Sequence, residues 1–310
     1  MTKAVDLSAL PLQEIGRTTR GTSSFTSAIK EVFLHRELLG LLVRRELKAR
    51  YKDSSLGFFW SLLRPLALLL VYFVAIGQFL GAARGIPDFG IYVFAGLTIW
   101  SLYSEIVSAC TSSIVGNSGL IKKVYLPREI FPLAATGSTL VNFAIQLGVL
   151  LGIVVLTGRL GLSWNLFYVP ISIVIILVWG VALGTFLSAV NVYLRDTQYL
   201  VEIGLMLFFW ASPIVYAWSY VVDAARQLSM PWIESVYLAN PITVAILAFQ
   251  KGVWLSGSQT VELAGRTVLP QPWPSDLDLR LGVVFVLGLV ALWAAQRVFQ
   301  RLQGNFAQEI

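Results

Sequence analysis

Three ionisable side chains stand inside otherwise apolar stretches of this 310-residue chain: Arg64, Glu105 and Glu202. An unpaired charge near the middle of a bilayer costs about 2.5–3.5 kcal/mol, so each needs a partner or a task. A guanidinium makes charge-assisted hydrogen bonds to phosphate oxygens, and two carboxylates nearby could orient such a headgroup. An Arg–Glu bridge between neighbouring helices meets the same cost with no ligand at all. Aromatic rings crowd the same stretches: Trp60, Tyr72, Trp100, Tyr103, Phe208, Phe209, Trp210, Tyr216 and Trp218. Ring faces stack on the C–H faces of sugars without the many hydrogen bonds that would trap a moving polymer. Trp60, Tyr72, Tyr103, Phe208, Phe209 and Trp210 are therefore candidate wall residues of a passage. Trp and Tyr are also enriched at membrane–water interfaces, a role open to Trp60, Trp100 and Trp218 but less natural for the deeper Tyr72 and Phe208–Trp210.

The elements that would carry these residues follow from composition. Hydrophobic residues make up 56% of the chain and charged residues 13%, with a mean hydropathy of +0.73. Lipid must therefore act as solvent for much of the surface. A hydrocarbon core of about 30 Å takes about 20 apolar residues per helix. Six stretches qualify: Gly57–Leu80, Ile91–Val115, Phe131–Thr157, Phe167–Leu194, Tyr199–Tyr220 and Leu281–Phe299. The expected class is an all-α integral membrane protein of six transmembrane helices. Sixteen Lys and Arg residues flank the spans on the side of the termini and six on the other, with Arg64 inside a span. The positive-inside rule then puts both termini in the cytoplasm. Arg64, Glu105 and Glu202 all fall on the inner-leaflet side, Arg64 about 10 Å into its helix at 1.5 Å per residue.

Several chemistries are excluded. One cysteine, Cys110, and one histidine, His35, leave no Cys/His metal site within the chain and no disulfide. No Ser/His/Asp set is plausible around a lone histidine, and no G-x-x-x-x-G-K-[ST] run cradles a nucleotide phosphate. Residues 1–31 lack the apolar core of a signal peptide. Any ATP that powers the chain must bind elsewhere.

Two inner segments stand out. Residues 30–53 read as an amphipathic helix with Val32, Leu39, Val43 and Leu47 on one face and Arg45, Lys48 and Lys52 on the other. Such a helix lies in the interface plane against anionic lipid, or is simply a topology-setting basic tail. The connection NSGLIKKVYLPREIFP (117–132) sets Leu120, Ile121, Val124 and Tyr125 among Lys122 and Lys123. An apolar patch on a short, Pro-stiffened cytoplasmic turn is expected to dock a partner protein. On the outside, 222–280 holds ITVAILAFQKGVWL, too short to cross, which Asn240-Pro241 opens as a helix start would. A re-entrant or interfacial hairpin is expected there.

Four strings then carry a resemblance. RYKDSSLGFFWSLLRPL (50–66), KKVYLPREIFPL (122–133), RDTQYLVE (195–202) with ASPIVY (211–216), and NPITVAILAFQKG (240–252) occur in this order. Over roughly 30–310 the chain resembles the permease subunit of ABC exporters of cell-surface polysaccharides and teichoic acids, the Wzm/TagG-like family. The resemblance implies a homodimer of permeases with two copies of a separate ATPase, which holds the ATP and Mg. No cofactor is then expected on this chain, and it is not itself an enzyme. The implied substrate is a polymer such as an O-antigen, galactan or teichoic-acid-like chain on an undecaprenyl-diphosphate lipid, and nucleic acid has no part. The implied division is residues 1–55 as cytoplasmic tail with interface helix, 56–302 as permease domain, and 303–310 as a cytoplasmic tail. Within the permease domain, 117–130 would be the coupling helix and 222–280 the outer gate hairpin. An exporter of drugs or small lipids, or a scaffold that transports nothing, shares the six-span plan.

Overall fold

The computed structural model describes residues 34–51, 59–124, 126–159, 161, 163–263 and 266–310; the side chains of 51, 59–62, 64 and 266 lie outside that description. Helix α1 (Arg36–Tyr51) precedes α2 (Phe59–Tyr72), which continues as a wider π-helical segment over Phe73–Phe79. Next come α3 (Phe89–Gly116), the single turn α4 (Ser118–Ile121), α5 (Ile130–Leu156) and α6 (Tyr168–Tyr193). Then follow α7 (Thr197–Trp210), α8 (Trp218–Gln227), α9 (Trp232–Ala239) and α10 (Pro241–Val253). A two-stranded antiparallel hairpin, β1 (Val261–Leu263) and β2 (Arg266–Val268), leads to α11 (Leu277–Leu302) and the terminal turn α12 (Phe306–Glu309).

Among the described residues, four segments are long and apolar enough to cross a membrane: Phe89–Gly116, Ile130–Leu156, Trp164–Tyr193 and Leu277–Glu309. The first expected span is a helix over Phe59–Tyr72, with Pro65 inside it, that continues as a π-helical segment over Phe73–Phe79. The fifth, expected over Tyr199–Tyr220, differs: α7 stops at Trp210. The physical reason is local. Pro213 has no N–H to continue the ladder, and the chain turns irregularly from Ala211 to Tyr216 before α8 begins.

Helix α3 is the axis of the structure. In its most apolar stretch 72% of residues are buried, and it packs on α5, α6 and α10. Contact with α6 depends on two glycines one helical turn apart. A Cβ at Gly180 would lie 3.1 Å from Ile106 Cγ2, and one at Gly184 would lie 2.6 Å from Cys110 Cβ. Small residues at this spacing let helix backbones approach closely where lipid supplies no hydrophobic drive for association. Across the approach Asn191 Nδ2 donates to the Thr111 carbonyl at 3.0 Å. On the other side of α6, Trp179 Nε1 donates to the Val284 carbonyl of α11 at 3.1 Å.

Helix α10 is the wedge. Asn240 caps it by accepting from the Ile242 amide at 3.0 Å, and Pro241 occupies the first turn, as the sequence suggests. From Ile242 to Gln250 every residue is buried, and α9 meets α10 at 91°. At 13 residues it reaches about 20 Å, short of a crossing.

Gly184→Val places a Cβ bearing two methyl groups where Cys110 already sits, so the expected cost is about 1–3 kcal/mol of overpacking. Gly148, with no atom near its missing Cβ, serves as control. Membrane-extracted Gly184→Val should melt below wild type, while Gly148→Ala should match it.

Candidate functional site

An open cavity of about 370 Å³ lies between α2, α3, α5 and α7. Its wall is formed by Pro65, Leu68 and Tyr72 from α2, by Leu97, Trp100, Ser101, Ser104 and Glu105 from α3, by Gln146 from α5, and by Leu205, Met206, Phe209 and Trp210 from α7. The α3 residues fall at helical spacing, so one face of one helix supplies them. Phe209 is the hub of the rings. Its centroid lies 5.9 Å from Tyr72, 5.7 Å from Trp100 and 5.5 Å from Trp210. Tilted and edge-on pairs at such distances are favourable. A polar stripe runs beside them: Ser101 Oγ donates to Gln146 Oε1 at 2.7 Å, and Ser104 and Glu105 continue the row.

Among the expected wall residues, Tyr72, Phe209 and Trp210 meet on this cavity, and Glu105 joins them from the charged set. Tyr103 sits behind the wall, buried, with its ring 5.7 Å from Trp100. Phe208 and Glu202 lie on exposed parts of α7 and do not line the cavity. The side chains of Trp60 and Arg64 fall outside the described residues. The sequence reading passed over Ser101, Ser104 and Gln146 and treated Trp100 as a belt residue. The stripe 97, 100, 101, 104, 105 at helical spacing was the signal available for most of them.

Glu105 has a partner other than the one expected. Arg50 Nη1, on α1, lies 3.4 Å from Glu105 Oε2. The same helix is tied at two further points: Arg45 donates to the Asn117 side chain, and Ser138 Oγ of α5 donates to Glu46 Oε2 at 3.0 Å. Val43 fits onto Gly137, where a Cβ would come within 2.7 Å of it. Leu42 is the most buried residue of α1, and Leu38, Leu39 and Val43 pack beside it. So the apolar face packs on protein, with Leu39 and Val43 from the stripe read from sequence joined by Leu38 and Leu42; Val32 lies outside the described residues. Burial raises the Glu46 carboxyl above its ordinary value, against the Ser138 hydrogen bond and Arg45 and Arg50, which pull it down.

The connection after α3 also differs from the expected exposed patch. Ile121 is 8% exposed and belongs to a cluster with Leu42, Ile114, Ile130, Phe131 and Phe299. Leu120 packs against that cluster, whereas Val124 (46% exposed), Lys122 and Lys123 face outward. Tyr125 lies outside the described residues. The correction has a simple cause. The one-turn helix Ser118–Ile121 packs one side on the protein, and Leu120 and Ile121 fall on that side. Nor do residues 303–310 trail freely. Phe306 is fully buried, edge-on to Phe299 at 5.5 Å, with the Arg128 guanidinium 5.6 Å from its ring centroid.

The sequence compared with known proteins now completes the description. Residues 37–254 match the ABC-2 type transporter family, and the chain belongs to that family. It is 30% identical over 283 residues to the O-antigen export system permease protein RfbA of Myxococcus xanthus, covering 91% of this chain and 98% of that protein. A Klebsiella pneumoniae protein of the same name is 23% identical, covering 88% and 94%. The polysialic acid transport protein KpsM of Escherichia coli is 24% identical, covering 67% and 85%.

Two measurements follow. Ile121→Asp buries an unpaired charge, a loss of several kcal/mol, and should abolish accumulation of the folded protein. Val124→Asp should leave the melting temperature unchanged and weaken only binding of a cytoplasmic partner in pull-down. Glu46, with its folded-state pKa raised, contributes stability below its unfolded value that is lost as pH rises through the folded one. Wild type should therefore gain melting temperature relative to Glu46→Gln as pH falls from neutral toward 4.5; parallel curves would refute this.

Proposed function

We propose that the chain is the transmembrane permease subunit of an ABC exporter that carries a cell-surface polysaccharide across the cytoplasmic membrane. The observation that carries this reading is the aromatic and hydroxyl wall of the α2–α3–α5–α7 cavity, in a chain that aligns over nearly its whole length with an O-antigen export permease. Rings offer weak, repeated contacts to successive sugars, and Ser101, Ser104 and Gln146 offer hydrogen bonds that exchange along a repeating polymer. Conduction needs binding strong enough for entry and weak enough for exit.

In this reading the chain crosses the membrane six times, with α7 as the one short crossing and both termini in the cytoplasm. Two copies pair so that their cavities form one passage. Two separate ATPase subunits bind ATP and Mg and dock near Val124, Lys122 and Lys123. The polymer travels on an undecaprenyl-diphosphate lipid whose headgroup enters from the inner leaflet. Arg64, beside Pro65 at the cavity, is the cation proposed to receive the diphosphate, with Glu202 and the Glu105–Arg50 pair setting its orientation. Helices α8–α10 cover the outer end.

The test is reconstitution of the chain with its ATPase in vesicles. Lipid-linked glycan should stimulate hydrolysis, and a drug or short lipid should not. Replacing both Tyr72 and Phe209 by Leu keeps bulk but removes ring faces. Export should fall about thirtyfold, each of the two ring contacts being worth about 1 kcal/mol, with ATPase binding intact. Unchanged export would move the passage elsewhere.

A further inference from the structure

The outer ends of the helices meet at a residue held in an uncommon backbone conformation. Asp88, just before α3, has φ 49° and ψ 44°, the left-handed region that a residue with a Cβ occupies only at a cost. An Asp in this position ordinarily accepts from the first amides of its own helix. Here its side chain caps nothing. Its Oδ2 instead takes Arg159 Nε at 3.1 Å, from the α5–α6 connection, and a hydrogen bond from Ser256 Oγ, just beyond the end of α10. The neighbouring Pro87 carbonyl accepts Trp254 Nε1 at 2.8 Å. Three distant parts of the chain are thus gathered at one carboxylate.

Contacts continue inward from there. Trp254 meets Tyr92 edge-on at 4.8 Å. The Tyr92 hydroxyl donates toward the Pro213 and Tyr216 carbonyls at 2.9 and 2.6 Å. The Tyr216 hydroxyl donates to the Trp210 carbonyl at 2.9 Å, and Trp210 lines the cavity. We propose that Asp88 is the latch of the outer end: its carboxylate holds the exit of α10 against α3 and the α5–α6 connection, and its release lets α10 shift and the passage open outward. The inference rests on the exporter reading, in which α8–α10 cover that end. Backbone strain persists where the surroundings demand it, and here the left-handed turn aims the carboxylate away from its own helix toward the two segments it joins.

The experiment uses the full chain with its ATPase in membranes, without ATP. Cys110→Ala removes the native thiol, and Thr243→Cys places one in α10, fully buried and beside Ser212. A membrane-impermeant maleimide is applied to vesicles of both orientations. Asp88→Gly keeps the left-handed backbone without strain and deletes the carboxylate. Asp88→Asn tolerates the same backbone and still accepts from Ser256, while Arg159→Gln removes only the cation. The expected result is labelling about tenfold faster in Asp88→Gly and about threefold faster in the other two, as a partly exposed charge pair warrants. Melting temperatures should stay at the parent's value. Labelling at the parent rate in every variant overturns the latch, as does faster labelling that appears only with lost thermal stability. Should Asp88→Gly fail to accumulate, Arg159→Gln decides alone, and unchanged labelling there overturns the proposal. Labelling needs no polymer, so the two readings fail separately. Unlatched variants that label like the parent while export proceeds overturn this inference only. A working latch in a chain that moves no polymer overturns only the exporter reading.

Discussion

A backbone inside a membrane cannot leave its carbonyls to water, because there is none, and each one unpaired costs several kcal/mol. The chain breaks α7 at Ala211 and runs irregularly for six residues among packed helices. What makes the break tolerable is capture of its carbonyls. Tyr92 of α3 takes Pro213 and Tyr216, and Gln250 Nε2 of α10 takes Pro213 at 3.1 Å. Gly96 lets the segment come close, since a Cβ there would stand 3.0 Å from Gln250 and 3.1 Å from Ile214. The burial of α10, the position of α3 and the orientation of the Phe209–Trp210 corner all depend on that one settlement.

At the end where α1 meets α3 and α5 the arrangement is electrostatic and aromatic. Helix α1 is fastened to α3 and α5 by Arg45, Glu46 and Arg50, so that Glu105 is at once a wall residue of the cavity and an anchor for α1. Phe306 closes the cluster that also holds Ile121 and Leu42. A displacement of the turn after α3 would therefore be felt by α1 and by the end of α11 together. Contiguous packing is the kind of physical connection that carries coupling between sites.

Much of this was legible in the sequence. Long apolar runs announced α3, α5, α6 and α11 because a bilayer imposes their length. Asn240-Pro241 announced the start of α10 because cap chemistry is local. Tyr72, Phe209 and Trp210 were legible as a group because rings beyond the interface need a reason. Other features were hidden for physical reasons. Ser212-Pro213 shows that a helix is disturbed but not that it ends, which depends on Tyr92 and Gln250 being within reach. Arg50 as a partner of Glu105 lies 55 residues away in sequence, and only packing brings the two together. Gly180 and Gly184 carried a readable spacing, yet the helix they admit is visible only in three dimensions. Phe306 looked like part of a cytoplasmic tail because six polar or small neighbours outweigh one buried ring.

The shortness of α7 has a consequence for the lipid itself. Fourteen residues make a rod of about 21 Å, some 9 Å less than the hydrocarbon thickness it would face. Its outer surface carries Tyr199, Leu200, Ile203, Leu207 and Phe208, with no charged collar other than Glu202. Wherever that surface borders lipid and not protein, the two leaflets must draw together to match it, at a fraction of a kcal/mol for each ångström. The bilayer would then be thinnest beside the cavity, and a polar headgroup crossing there would have the least hydrocarbon to pass.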